Sequence, residues 1–76
     1  MERIYRILEE LRPENDFATS RDFIGEGLLD SLDMVSLVSA LEEEFGVLID
    51  ALDIVPENFS SAEAIAATVR KNGGAV

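Results

Sequence analysis

The sequence predicts an all-α fold: a small bundle of three main helices and one short one, with a long first loop. Three observations predict it. Apolar residues recur at helical spacing in three separate stretches. Start or stop residues flank each of those stretches. The chain has 76 residues, so it is expected to form a single domain over 1–76 whose small core is stable only if helices pack well.

The first helix is expected over residues 2–11. Ile4, Ile7, Leu8 and Leu11 fall at i, i+3, i+4 and i+7 and make one apolar stripe. Pro13 ends it, because the residue before a proline is pushed out of the helical region. Residues 13–29 form a long connection in which Asn15, Asp16, Thr19, Ser20, Gly25 and Gly27 mark turns. A structureless loop of that length normally carries function or packs down. Phe17, Phe23, Ile24 and Leu28 are the expected anchors to the core.

The second helix is expected from Ser31 to about Phe45, with Asp30 as N-cap and Gly46 just past the end. Met34, Leu37, Val38, Leu41 and Phe45 make its core face. Asp30, Leu32, Asp33, Val35, Ser36, Ser39, Glu42 and Glu43 lie at its start and along another face leading away from Ser31. Leu32 and Val35 are then exposed apolar residues rimmed with acids, a pattern that fits a contact surface.

Residues 47–59 read as irregular. Val47-Leu48-Ile49 favours β structure, but a lone strand has no partner here. A short helical turn with proline at its first position is expected at Pro56-Glu57-Asn58-Phe59. The last helix is expected to start with Ser60 as N-cap and Glu63 three residues on, a capping box. Ala62, Ile65, Ala66 and Val69 are its buried stripe, and Arg70 and Lys71 suit the negative end of its dipole. Asn72-Gly73-Gly74 stops it, leaving residues 73–76 as an expected flexible tail.

Composition narrows the function. With 47% hydrophobic residues the chain is not compositionally disordered. It has no cysteine, hence no disulfide, thiolate ligand or cysteine nucleophile. It has no histidine, the commonest general base. No apolar run approaches the ~20 residues of a membrane span, and the first residues do not read as a signal peptide, so a cytoplasmic protein is expected; a monomer is the expected state. The net charge is −10, and between Asp22 and Val69 eleven acids stand without one Lys or Arg. Such a field repels nucleic acid and anionic membranes and attracts basic protein surfaces.

Ser31 is the residue around which these features gather. At the first helical position its side chain points outward, and a phosphate attached there would lie near the positive end of the helix dipole. An isolated Asp-Ser pair at a helix start is ordinarily only a cap. Here Asp30-Ser31-Leu32-Asp33 is followed by an apolar-periodic run ending Leu41-Glu42-Glu43-Glu44-Phe45. The segment 26–45 resembles the prosthetic-group motif of the acyl carrier protein family. The resemblance implies the four-helix carrier-protein fold and 4′-phosphopantetheine carried covalently on Ser31. It also implies a phosphopantetheinyl transferase that uses coenzyme A and Mg²⁺. Cargo would be held as a thioester on the arm's thiol, so a carrier needs no cysteine of its own. Fatty-acid carriers often place an acid and a methionine where this chain has Ser36 and Ser39. Gly27-Leu28-Leu29-Asp30-Ser31 and Pro56-Glu57-Asn58-Phe59 look more like discrete carriers of the D-alanyl type, which an adenylate-forming ligase loads.

The expected partners are therefore the transferase, an acyl or aminoacyl ligase or an acyltransferase, and other basic-surfaced pathway enzymes. The face from Asp30 to Glu43 described above is the expected partner-binding surface. No catalytic residue is expected, since a serine nucleophile needs a base that this chain lacks. No metal site is expected either, because consecutive acids on a helix point in different directions and no EF-hand spacing occurs. An acidic interaction module that keeps the fold without the arm is the alternative reading.

Overall fold

Three α-helices, α1 (Glu2–Leu11), α2 (Ser31–Phe45) and α3 (Ala62–Lys71), make up the protein, with two 3-10 turns, Ala51–Asp53 and Pro56–Phe59, between α2 and α3. The computed structural model describes residues 1–76. It measures 29 × 23 × 18 Å along its principal axes. α1 packs against both α2 and α3, and the second 3-10 turn packs against α3.

α1 buries Ile4, Ile7 and Leu8 of the expected stripe, with Leu11 half-buried at its end, and Arg12 leaves the helical region just before Pro13. α2 buries Met34, Leu37, Val38 and Leu41, with Phe45 half-buried beside them. It ends at Gly46, whose φ of 66° is left-handed and therefore suits a residue without a Cβ. The Gly46 N–H donates to the Glu42 carbonyl at 2.9 Å, closing the last turn.

Two polar clamps set α1 antiparallel to α2. Near the start of α1, the Arg3 guanidinium donates to the Glu44 carboxylate at 2.6 Å and the Glu44 carbonyl at 2.8 Å. It also lies 4.4 Å from the centre of the Phe45 ring, within cation–π range. Just past the end of α1, Arg12 reaches Asp33 in the first turn of α2. The connection between the helices packs down as expected. Phe17 and Phe23 are buried edge to face with ring centres 5.1 Å apart. The Phe23 N–H donates to the Ser60 carbonyl at 2.8 Å, and the Asn15 amide donates to the Leu28 carbonyl at 2.9 Å. Leu29 is buried while Leu28 and Ile24 are only half-buried, so Leu29 is the stronger anchor.

Residues 47–59 differ from the expectation in three ways. Ala51–Asp53 is a 3-10 turn, because the Asp50 carboxylate accepts the Leu52 N–H at 2.9 Å and the Asp50 carbonyl accepts the Asp53 N–H at 2.9 Å. The apolar run is also less buried than its composition implies: Ile49 is inside, but Leu48 and Leu52 are 82% and 86% exposed. Asp53 is buried instead, and Lys71 donates to its carboxylate at 2.6 Å and Asn72 at 3.2 Å. The turn at Pro56–Phe59 has proline at its start, as the sequence indicates.

The expected capping box at Ser60 and Glu63 is not formed. The N-cap of α3 is Ser61, whose hydroxyl accepts the Ala64 N–H at 3.1 Å. Ser60 still belongs to the preceding turn, where its hydroxyl donates to the Pro56 carbonyl at 2.7 Å. Glu63 therefore falls one residue short of the position from which it could reach back. At the chain end the Gly74 N–H donates to the Val69 carbonyl at 2.9 Å, and Val76, expected in a flexible tail, is half-buried against the core.

Candidate functional site

The candidate site lies where the long connection turns into α2. Gly27 supplies a left-handed turn at φ 78°, after which Leu29 enters the core and Asp30 becomes extended. Asp30 caps the helix, its Oδ1 accepting the Asp33 N–H at 2.8 Å. Asp33 reciprocates: its Oδ2 accepts the Asp30 N–H at 3.1 Å. This is a capping box with aspartate in the place usually taken by glutamate. Ser31 is the first residue of α2 and is exposed, its backbone enclosed by the two reciprocal bonds.

Asp33 does not lie on the exposed face where the sequence placed it. It is only 7% exposed, and the Arg12 Nε donates to both of its carboxylate oxygens at 3.0 Å. Burial pushes its carboxyl up, but the hydrogen bonds from Arg12 and the Asp30 N–H outweigh that and hold it below the ordinary value of 3.8. The Arg12 guanidinium is raised in turn by its bond to Asp33. Its terminal nitrogens also lie 3.7 Å from the Asp30 carboxylate and 3.4 Å from that of Glu14. Nearness to Ser31 along the chain grouped Asp33 with the partner surface, but an N3 carboxylate that serves a cap must turn back along the helix.

The rest of the expected face is partly as read. Leu32 and Val35 are 77% and 64% exposed, and Asp30, Ser36, Ser39 and Glu43 are exposed as well. Glu42 is half-buried and committed to the fold: its Oε2 accepts the Ile49 N–H at 3.0 Å. Sequence reasoning missed Arg12, which nothing in local spacing connects to α2. It also missed the exposure of Leu48 and Leu52, since hydrophobicity alone gives no direction in irregular chain.

A family model described as phosphopantetheine attachment site matches residues 2–69. The chain belongs to this family. It is a carrier domain on which 4′-phosphopantetheine is attached covalently, within the acyl carrier protein group. Carrier domains of this family are carriers and not catalysts, and they interact with a phosphopantetheinyl transferase and with pathway enzymes. No curated protein and no solved structure gives a match to the chain. The residues at the start of α2 fit the group: the Ser31 hydroxyl is exposed at a helix N-terminus, where the dipole favours an attached phosphate. No helix is long and apolar enough to cross a membrane.

Proposed function

We propose that Ser31 is the attachment residue, and that the carrier domain holds an acyl or aminoacyl group and presents it to partner enzymes. The observation that carries this is the position of Ser31. It is exposed, it opens α2, and it sits inside the Asp30–Asp33 capping box within the family-matched span. In the attachment reaction the Ser31 oxygen forms a bond to the pantetheine-bearing phosphorus of coenzyme A. The pyrophosphate bond breaks, adenosine 3′,5′-bisphosphate leaves, and the hydroxyl proton goes to a base on the transferase. When bound, the arm supplies a thiol that holds cargo as a thioester. The protein's own residues anchor the arm, rigidify its root and offer a docking face.

The proposed docking face is Asp30, Leu32, Val35, Ser36, Ser39 and Glu43, supported by their exposure and by the cation-free stretch from Asp22 to Val69. Asp33 is left out because it is buried, and Glu42 borders the face through one carboxylate oxygen. Leu32 and Val35 supply a centre that can be desolvated, while the acids orient a basic partner. The cargo is proposed to be a small acyl or aminoacyl group loaded by an adenylate-forming ligase. The support is the sequence of Gly27–Ser31 and of Pro56–Phe59.

Intact mass after incubation with coenzyme A and a broad-specificity transferase tests the site. Wild type gains one phosphopantetheine and Ser31→Ala gains none; uptake by Ser31→Ala refutes the assignment. A chain that takes up no arm at all would instead be an acidic interaction module. Loading assays then compare amino acids with long-chain fatty acids, and preference for a long chain refutes the cargo reading.

A further inference from the structure

We propose that Arg12 is a positioning residue for the modification of Ser31: its guanidinium, shared between Asp33 and Asp30, fixes the turn that presents the serine hydroxyl. The proposal rests on Ser31 being the attachment residue. Asp33 is a nearly buried carboxylate, and such a group persists only when paired and hydrogen-bonded. Arg12 is its cation. The other two clamps of the fold, Arg3 with Glu44 and Lys71 with Asp53, lie at other helix ends.

The geometry makes Arg12 more than a neutralising charge. Asp33 Oδ2 accepts from Arg12 Nε and from the Asp30 N–H, so the same oxygen ties α1 to the residue before Ser31. Asp30 returns a bond to the Asp33 N–H while its other oxygen faces an Arg12 terminal nitrogen at 3.7 Å. Ser31 and Leu32 are thus the only residues between two groups held by one guanidinium. Arg12 stands directly before the connection 13–29 and Asp30 directly after it, so the clamp closes that loop at its root. A planar fork holds two carboxylates in fixed relation, whereas a lysine ammonium, as a point charge, does not. A nucleophile's rate in a bound complex depends steeply on its placement. The docked transferase therefore meets a hydroxyl whose position Arg12 has set.

Charge and position predict opposite effects when Arg12 is changed. Losing the cation makes the docking face more acidic, so attraction of a basic transferase is kept or strengthened and KM stays level or falls. Losing the clamp loosens the turn, so kcat falls. The experiment uses the full chain, coenzyme A and a broad-specificity transferase, with rates read by intact mass. Melting temperatures are measured alongside, and assays run where every variant is folded. Arg12→Gln is expected to lower kcat about tenfold or more without raising KM, a loss consistent with a misplaced nucleophile. Arg12→Lys keeps the charge and is expected to be intermediate, and it carries the test if Arg12→Gln does not fold. Asp53→Asn is the stability control: it breaks the Lys71 clamp at the far end of α3 and should lower the melting temperature with kcat unchanged. A kcat within about twofold of wild type for Arg12→Gln, or for Arg12→Lys where Arg12→Gln does not fold, overturns the proposal, as does an equal loss in Asp53→Asn. Modification of Ser31→Ala overturns the site and the role of Arg12 together, whereas normal dependence on Ser31 with no effect of Arg12 overturns only the latter.

Discussion

Charge reversal at two neighbouring acids of α2 should separate docking from folding. Glu43 is exposed, whereas Glu42 gives one carboxylate oxygen to the Ile49 N–H at 3.0 Å, and Ile49 is buried. For Glu43→Lys the fold loses nothing specific. An exposed ion pair with a partner contributes ~0–1 kcal/mol, and reversal replaces attraction with repulsion, so the ceiling is about 2 kcal/mol. That corresponds to a slowing of modification by up to about 25-fold, at roughly tenfold per 1.4 kcal/mol. The effect belongs to association and fades with salt, since the screening length falls from ~30 Å at ~0.01 M to ~3 Å at ~1 M. For Glu42→Lys the Ile49 N–H loses a charged acceptor, a cost of about 1.5–3 kcal/mol. At about 4–8 °C per kcal/mol for a domain of this size, the melting temperature should drop by roughly 6–24 °C. Glu42→Gln keeps an acceptor oxygen and should recover most of it. The assay is the second-order rate of transferase modification at low and high salt, with thermal melts of each variant. Glu43→Lys modified as fast as wild type at low salt would show that the docking surface lies elsewhere. An unshifted melt for Glu42→Lys would refute the structural role of that carboxylate.

Three further outcomes are expected. Leu41 is fully buried midway along α2, so Leu41→Ala should cost ~2–5 kcal/mol in chemical denaturation, a large share of the ~4–11 kcal/mol expected for a domain this small; an unchanged midpoint would contradict its place in the core. Ser61→Ala should cost ~1 kcal/mol through loss of the α3 cap, and an unchanged denaturation midpoint for Ser61→Ala would refute that capping position. The Asp53–Lys71 clamp has a definite pH signature. Hydrogen bonds from Lys71 and then Asn72 hold the Asp53 carboxyl below its ordinary 3.8, so its contribution is present above that value and is lost as pH falls through the lower folded value. The bond to Asp53 raises the Lys71 ammonium above its ordinary 10.5, so that contribution is present below 10.5 and is lost as pH rises through the raised value. The stability difference between wild type and Asp53→Asn should therefore be flat between these limits and shrink outside them. A difference that varies with pH between 5 and 9 would refute the clamp, at values ~1 unit or more inside both limits. The difference is the observable because general titration of a −10 chain shifts the absolute curves of both proteins.

The local elements were legible because their causes are local. The stripe of Ile4, Ile7 and Leu8, the stop at Pro13, the cap at Asp30, the left-handed Gly46 and the proline-led turn at Pro56 each depend on residues within a turn of one another. The start of α2 at Ser31 was legible for the same reason, whereas the reading of Ser31 as an attachment residue came from the resemblance of residues 26–45 to the carrier-protein motif. What tertiary structure decided is the direction of particular polar groups. Asp33 turns inward because Arg12, 21 residues away, waits at the end of α1, and Glu42 is taken by the N–H of Ile49 once the chain reverses at Gly46. Ser61 caps α3 instead of Ser60 because the Pro56–Phe59 turn claims the Ser60 hydroxyl. Leu48 and Leu52 face water while Asp53 is buried, an inversion of hydrophobic order that holds because Lys71 and Asn72 satisfy the carboxylate. The sequence by itself determined where helices form and which serine begins the central one. Only the packed chain decided which charges are free to meet a partner and which are occupied holding the fold, because a polar group's partner is chosen by proximity in space and not along the sequence.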